Sequence, residues 1–280
     1  IIGGPLAGGL MNLEWLDLAG WRWLFILEGA PAFLLGFATL WLLPETPAEV
    51  RWLTAEEKQW LTTQLEAERR EREARNAGRT GWWQAFRSRP VWLFASAYFL
   101  GLFASNGLGF WLPTMVKSLS SFSVFVIGLI VSLPYSLGLV AKIVAGWSSD
   151  RTGDRRWHTI VLLGLGALGL GGGALTQHLP LLAFVCICVA VIGLTGYTPC
   201  FWAYALSMLG GTATAAALGF INSFGALGSF AGPYLMGWIR QSSDAFTLGV
   251  ATLALSALAT ALLVWAATLQ RRTAAPVSTS

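Results

Sequence analysis

A few polar side chains interrupt the long apolar stretches of this chain, and their chemistry suits binding rather than catalysis. An amide both donates and accepts hydrogen bonds, so it can hold a carboxylate or a hydroxyl, and phenol and indole rings offer an amphipathic surface to a polar organic molecule. Polar groups at mid-depth in hydrocarbon must face a cavity or a partner helix. We predict five substrate-binding residues: Asn222, Tyr98, Asn106, Trp202 and Tyr197.

Two of these residues have a structural alternative. An interhelical hydrogen bond is the alternative for Asn222, and packing or interfacial anchoring is the alternative for Trp202. At 1.5 Å per residue from Pro90, Tyr98 lies about 12 Å deep and Asn106 about 24 Å deep. Asn106 also opens an Asn-Gly-Leu-Gly run, where we expect helical regularity to break beside a cavity.

The second candidate feature is a charged run at residues 146–156, which lies between two long apolar segments. Glycine lets helix backbones approach closely, an aspartate can cap or oppose a neighbouring helix N-terminus, and arginines favour the cytoplasmic face. We expect a short turn in water between two membrane crossings. A generic cytoplasmic turn is the alternative to a gate. The predicted gate residues are Gly146, Asp150, Arg151, Gly153 and Arg155.

Composition requires a membrane around these residues. Of 280 residues, 55% are hydrophobic and 11% are charged, and the mean hydropathy is +0.61, which a soluble domain cannot bury. The apolar runs predict an all-α, polytopic membrane protein with an opening half-span and seven complete crossings. The crossings are residues 23–43, 90–116, 124–147, 158–178, 180–204, 215–238 and 246–269.

The basic residues predict the orientation. Of the 18 Lys and Arg residues, nine lie in residues 44–89, three in 148–157 and two beyond residue 270, which places all three segments in the cytoplasm. Six acidic residues are interleaved between Glu56 and Glu73, so we expect a solvated helix and no nucleic acid. Thr54 and Glu57 fit a capping box that starts this helix.

Metal, cofactor and catalytic chemistry have little support. Cys186, Cys188 and Cys200 lie in or near one apolar segment without the partners of a metal site, and we interpret them as small buried hydrophobes. His158 and His178 lie at opposite ends of one span without acid partners nearby in sequence. We therefore expect no enzyme, no metal and no cofactor.

At the charged run the chain resembles a known family. The pattern Gly-x-x-x-Asp-Arg-x-Gly-x-Arg is similar to the signature loop of the major facilitator superfamily, except that Asp154 stands where a basic residue is usual. The last six spans divide into three and three, with Gly and Pro expected to break a helix in each set. This arrangement resembles the C-terminal half of a major facilitator, built from inverted three-helix repeats.

Other stretches resemble the anion:cation symporter branch, whose members move tartrate, galactonate, phthalate and other organic or sugar acids. They are residues 20–29, 52–58, 110–114 and 221–225. The resemblance implies proton-coupled symport of a small organic anion by alternating access, in the lipid bilayer of the inner (plasma) membrane, with a cytoplasmic C-terminus.

The resemblance also implies a domain plan. Residues 1–43 would be the end of helix five and all of helix six, 44–89 a cytoplasmic linker with an amphipathic helix, 90–269 the C-terminal six-helix bundle and 270–280 a cytoplasmic tail. In this family the coupling acid and a substrate-binding arginine lie in helices one and four, which we expect upstream of residue 1. The 280-residue chain alone is then expected not to transport. A non-transporting membrane interaction or scaffold protein is the alternative.

Overall fold

A computed structural model of the chain describes residues 3–10, 18–44, 46–50, 52–76, 88–118, 123–209, 214–243 and 246–274. These residues form nine α-helices and a short 3-10 turn at Pro47–Glu49. In chain order the helices are α1 (Gly3–Leu10), α2 (Gly20–Leu42), α3 (Ala55–Asn76), α4 (Arg89–Ser118), α5 (Val124–Thr152), α6 (Arg155–Leu175), α7 (Pro180–Met208), α8 (Thr214–Ser243) and α9 (Phe246–Ala274).

Seven of these helices, α2 and α4 to α9, are long and apolar enough to cross a membrane. An α-helix satisfies its own backbone hydrogen bonds, which is why a segment without polar side chains folds this way in lipid. The predicted all-α, multi-crossing fold and its seven complete crossings are confirmed in the part of the chain that the structure describes.

The chain forms two compact units, one of residues 1–5 and 82–280 and the other of residues 6–81. In the first unit α4 packs on α8 and α9, α7 packs on α5 and α6, and α6 packs on α9. Exchanging the triplet α4–α6 for the triplet α7–α9 reproduces the same set of pairs. Because each triplet has an odd number of crossings, the second begins on the opposite side of the membrane, so the two triplets are related by inversion.

Small residues let the paired helices approach closely. Gly225 lies against Tyr98, Gly228 against the carbonyl of Phe99, and Gly232 against the carbonyl of Phe103, so α4 and α8 run parallel along a glycine seam. A Cβ at Gly228 would collide with the α4 backbone. Such small-residue contacts stabilise helix pairs in lipid, where the hydrophobic effect does not drive association.

The predicted helix breaks are wrong. Helix α4 continues without interruption through Asn106 and Gly109. Glycine at this point allows α4 to pack closely against α9, because a Cβ at Gly107 would lie 2.6 Å from a methyl group of Leu253. Within α4 to α9, four prolines also lie inside helices that continue past them, namely Pro113, Pro134, Pro199 and Pro233.

In the second unit the predicted capping box is confirmed. The backbone N–H of Thr54 donates to Glu57 Oε2 at 2.9 Å, and the N–H of Glu57 donates to Thr54 Oγ1 at 3.3 Å. The bond from the backbone of Thr54, followed by the bond from its hydroxyl, lowers the pKa of the Glu57 carboxyl. This reciprocal pair satisfies two of the otherwise unpaired donors at the start of α3.

Candidate functional site

A polar strip joins α4 and α8 on an exposed face of the bundle. The side-chain amide of Asn106 donates to Ser229 Oγ at 3.1 Å and to the Leu102 carbonyl at 3.2 Å. Asn222 lies seven residues before Ser229, two helical turns away on the same face of α8. The strip is Asn222, Ser229 and Asn106.

Asn222 is exposed, and its amide has no hydrogen-bond partner among the described residues. The interhelical hydrogen bond that was the alternative for Asn222 is made instead by Asn106. Ser229 was missed at the sequence level, although its seven-residue spacing from Asn222 marks the shared face. The strip therefore offers an uncharged amide that is free to bind a ligand.

The three aromatic candidates come together around Phe201, beside the strip. Tyr98 stacks on Phe201 with ring centroids 5.4 Å apart, and Trp202 meets Tyr98 edge-on at 4.9 Å. Tyr197 meets Phe201 edge-on at 6.0 Å. Edge and stacked contacts at these distances stabilise aromatic clusters. The cluster joins α4 to α7.

Exposure separates the members of this aromatic cluster. Tyr98 and Tyr197 are buried, whereas Trp202 is half-buried. The Tyr197 hydroxyl points at Gly101 and has no hydrogen-bond partner among the described residues. Most of the cluster is therefore buried packing between helices, and Trp202 is the ring that can present a surface to a ligand.

A separate cavity of about 170 Å³ lies between α4, α6, α7 and α9. Its lining is almost entirely apolar: Leu108, Met115, Gly169, Leu170, Gly173, Gln177, Ala183, Ile187, Phe246 and Val250. Such a lining gives an anion no compensation for lost hydration. The polar strip, and not this cavity, is the candidate site for a charged organic substrate.

The charged run forms a tighter turn than predicted. Helix α5 extends to Thr152 and α6 begins at Arg155, so only two residues lie between them. Gly153 adopts a left-handed conformation with φ of 69°, which glycine reaches without strain. Asp154 Oδ1 accepts from the backbone N–H of Trp157 at 3.1 Å and caps α6.

Asp154, rather than Asp150, therefore caps α6. Asp150 lies one turn back on α5 and pairs with Arg155 Nη2 at 3.9 Å. Arg155 also donates from Nη1 to the Ala203 carbonyl oxygen, 3.2 Å away near the end of α7. This arginine connects the α5–α6 turn to a third helix, which a generic turn does not require.

The other gate candidates lie around this connection. Gly146 faces Pro199, and the Arg151 guanidinium lies 5.3 Å from the centre of the Trp147 ring. His158 was not among the predicted site residues, yet its Nε2 lies 3.0 Å from Ser148 Oγ and ties α6 back to α5. The sequence could not predict this contact, because a spacing of ten residues brings two side chains together only when the turn between the helices is as short as it is here.

The cysteines and acidic residues give no metal centre within the described residues. Cys200 is buried, with its Sγ 3.5 Å from the Ala145 carbonyl, and Cys186 and Cys188 are half-buried. All three are free thiols, and Cys186 lies against Gly172 of the neighbouring helix. Their placement is that of small apolar side chains.

Comparison with known proteins identifies the family. Residues 1–233 match the model of the Major Facilitator Superfamily, and the chain belongs to that superfamily. It is therefore a multi-pass membrane protein of a transporter family. The glycine seam, the inverted triplets and the charged turn are all consistent with this membership.

Several relatives are about one-third identical to the chain. A candidate tartrate transporter of Agrobacterium vitis is 33% identical over 253 residues, which is 89% of this chain and 55% of that protein. The inner membrane transport protein RhmT of Escherichia coli K12 is 33% identical over 275 residues, 98% of this chain and 62% of RhmT. A quinolone resistance transporter of Acinetobacter baumannii is 33% identical over 253 residues, 89% of this chain and 57% of that protein. The chain thus spans little more than half the length of the curated relatives it matches.

Proposed function

We propose that this chain is the C-terminal portion of a secondary transporter that carries an organic or sugar-acid anion together with protons by alternating access. The observation that supports this best is the polar strip of Asn222, Ser229 and Asn106, in which both asparagines are exposed. Uncharged amides and hydroxyls can bind a carboxylate without first losing an ion-pair partner. The relative named as a tartrate transporter favours this substrate class.

Each part of the chain has its own role in this transporter. Residues 1–43 are the end of helix five and helix six of an N-terminal bundle, 44–89 the cytoplasmic linker, 90–269 the C-terminal bundle and 270–280 the tail. The membrane is the inner (plasma) membrane and the C-terminus is cytoplasmic, because most basic residues fall on that side. The partners are a small organic anion, a proton, the lipid bilayer and helices one to four.

In this mechanism Asn222, Asn106 and Trp202 contact the substrate, and the buried rings of Tyr98 and Tyr197 pack behind them. Two bundles rock about a midplane site, and the strip on α4 and α8 faces the substrate. The gate set is Gly146, Asp150, Arg151, Gly153 and Arg155. Arg155 holds the α5–α6 turn against α7 in one state. Its 3.9 Å ion pair with Asp150 and its 3.2 Å hydrogen bond to Ala203 are exchanged for other contacts when the bundles move.

The test compares two proteins in proteoliposomes with an imposed pH gradient. One is the 280-residue chain alone. The other is a chimera in which the part of the Agrobacterium vitis relative that lies before its matched segment precedes Ile1. We expect the chimera to take up labelled tartrate in response to an inward proton gradient and the chain alone to show none.

The control substrate is a quinolone, because one relative carries that name. Quinolone transport without tartrate transport would overturn the sugar-acid substrate class, and tartrate uptake without a pH effect would overturn proton coupling. Absence of transport by a correctly inserted chimera would favour the non-transporting scaffold. Uptake by the chain alone would overturn its proposed dependence on the preceding helices.

A further inference from the structure

One charged side chain lies in the interior of a span in the six-helix bundle, and the transport mechanism above does not use it. Lys142 is 18 residues from the start of α5 and 10 residues from its end at Thr152, or about 27 Å and 15 Å along the axis. A charge at such depth is costly unless it has a partner or faces water. The other described charges of this bundle lie at or beyond helix ends.

No carboxylate among the described residues of the bundle pairs with Lys142. From residue 82 onward the sequence has only three acidic residues. Asp150 pairs with Arg155, Asp154 caps α6, and Asp244 lies outside the described residues. The ammonium group is exposed and keeps its capacity to bind an anion.

Lys142 lies on a face of α5 that meets other helices rather than lipid. Helical spacing puts it on one stripe with Gly128, Tyr135 and Gly146, at steps of seven, seven and four residues. The Tyr135 hydroxyl lies beside Gly109 of α4, and Gly128 lies against Gly4 within the same compact unit.

The opposite side of α5 has the character of a lipid-facing surface. Its exposed residues there are large and apolar, including Leu133, Leu137, Val140 and Val144. A lysine whose only role is to extend toward lipid headgroups has no reason to avoid that side. The position of Lys142 on the other stripe therefore points to a water-filled or helix-lined pathway.

Its depth matches that of the predicted substrate contacts. Helices α4 and α8 run parallel and start at the end of the bundle where α5 finishes. Tyr98 lies nine residues into α4, about 14 Å, and Asn222 lies eight residues into α8, about 12 Å. Lys142, at about 15 Å from its helix end, is at the same level.

We propose that Lys142 is the cationic contact of the C-terminal bundle for a carboxylate of the substrate. This inference rests on the proposed function and adds to it a charged contact that the predicted, uncharged set did not contain. The ammonium binds one carboxylate, while the amide on α8 binds a hydroxyl or a second carboxylate. A charge-assisted hydrogen bond to the substrate also offsets the cost of placing a lysine at this depth.

The test measures tartrate uptake by the chimera and by three variants, Lys142→Met, Lys142→Arg and Lys117→Met. Met keeps the length of the side chain and suits a membrane helix, so loss of folding is avoided. Lys117 lies exposed at the end of α4 and provides the same change of residue away from the pathway. We expect Lys142→Met to raise KM by roughly 10- to 100-fold, the range for a hydrogen bond to a charged group.

We expect Lys142→Arg to stay within about threefold of the parent, since its charge is kept, and Lys117→Met to match the parent. As a second readout, threitol, the uncharged analogue of tartrate, should inhibit tartrate uptake with the same inhibition constant in the parent and in Lys142→Met. If the parent transports tartrate and Lys142→Met has the parental KM, this inference is wrong and the proposed function stands. If the parent transports no carboxylate, both are wrong.

Discussion

Arg155 Nη1 donates to the backbone carbonyl oxygen of Ala203 at 3.2 Å while Nη2 of the same guanidinium lies 3.9 Å from Asp150. One side chain thus connects the end of α5, the start of α6 and the end of α7. A planar guanidinium can make both contacts at once, whereas an ammonium is a point charge on a flexible stem. These two contacts of Arg155 hold the charged turn in place.

Replacing Arg155 with alanine should destabilise the bundle by about 1 kcal/mol. Hydrogen bonds from charged donors contribute roughly 1.5–3 kcal/mol, and partial exposure of this side chain reduces that value. Thermal unfolding of the purified chain in detergent measures the change. Arg156→Ala is the matched control, because Arg156 lies over the Trp157 ring on the next position of the same turn. An equal loss of stability in the two variants would show that the two contacts of Arg155 do not stabilise the turn.

Two glycines of α8 should respond differently to replacement by alanine, because only one of them lies in the close contact between α4 and α8. Gly228→Ala should destabilise the chain by about 1–3 kcal/mol, because the new methyl group meets the Phe99 carbonyl and the backbones must separate. Gly219→Ala has open space around its Cβ and should be neutral or stabilising by up to about 1 kcal/mol. Denaturation midpoints in detergent test both. Equal destabilisation at the two positions would show that the seam is not close-packed.

The capping box of α3 predicts a pH dependence. Its hydrogen bonds lower the pKa of Glu57 in the folded chain, so their contribution is present above the unfolded pKa and is lost as pH falls through the lowered folded pKa. Hydrogen exchange of the Thr54 backbone amide, corrected for its intrinsic rate, should show this loss on acidification.

The neighbouring carboxylate supplies the control for this measurement. Glu57→Gln should remove the acid-dependent change in protection, and Glu56→Gln should leave it as in the parent chain. Retention of the change in Glu57→Gln would show that another group causes it.

The amide on α8 predicts a change in transport. Asn222→Ala in the chimera should raise the KM for tartrate by about tenfold, because one hydrogen bond to a charged ligand is lost. Ser223→Ala is the control, since Ser223 is also exposed but points to another side of α8. Uptake kinetics at saturating proton gradient provide the measurement. A parental KM for Asn222→Ala would remove this residue from the site.

The features that the sequence predicted correctly depend on neighbours along the chain. An apolar run of about 20 residues is sufficient for a membrane helix, and the Thr54–Glu57 bonds join residues three apart. The fold class and the seven crossings follow from such local patterns.

The features that it missed depend on which residues meet across helices. The bond from Asn106 to Ser229 joins residues 123 apart in sequence, and no local pattern predicts it. Asp154 rather than Asp150 caps α6 because α5 continues to Thr152. The left-handed conformation of Gly153 ends α5 at that point. The break expected after Asn106 was wrong because glycine in a packed membrane helix serves close approach.

The most direct measurement of the central claim is the accessibility of Asn222 in the membrane. In the chimera with all of its cysteines replaced by alanine, including Cys186, Cys188 and Cys200, Asn222→Cys is treated with a water-soluble maleimide, with and without tartrate. Leu168→Cys, on an exposed apolar position of α6, is the control. If the polar strip faces the substrate pathway, Asn222→Cys reacts, tartrate slows the reaction, and Leu168→Cys does not react. An Asn222→Cys that is as unreactive as Leu168→Cys, or that reacts at the same rate with tartrate present, would contradict the account.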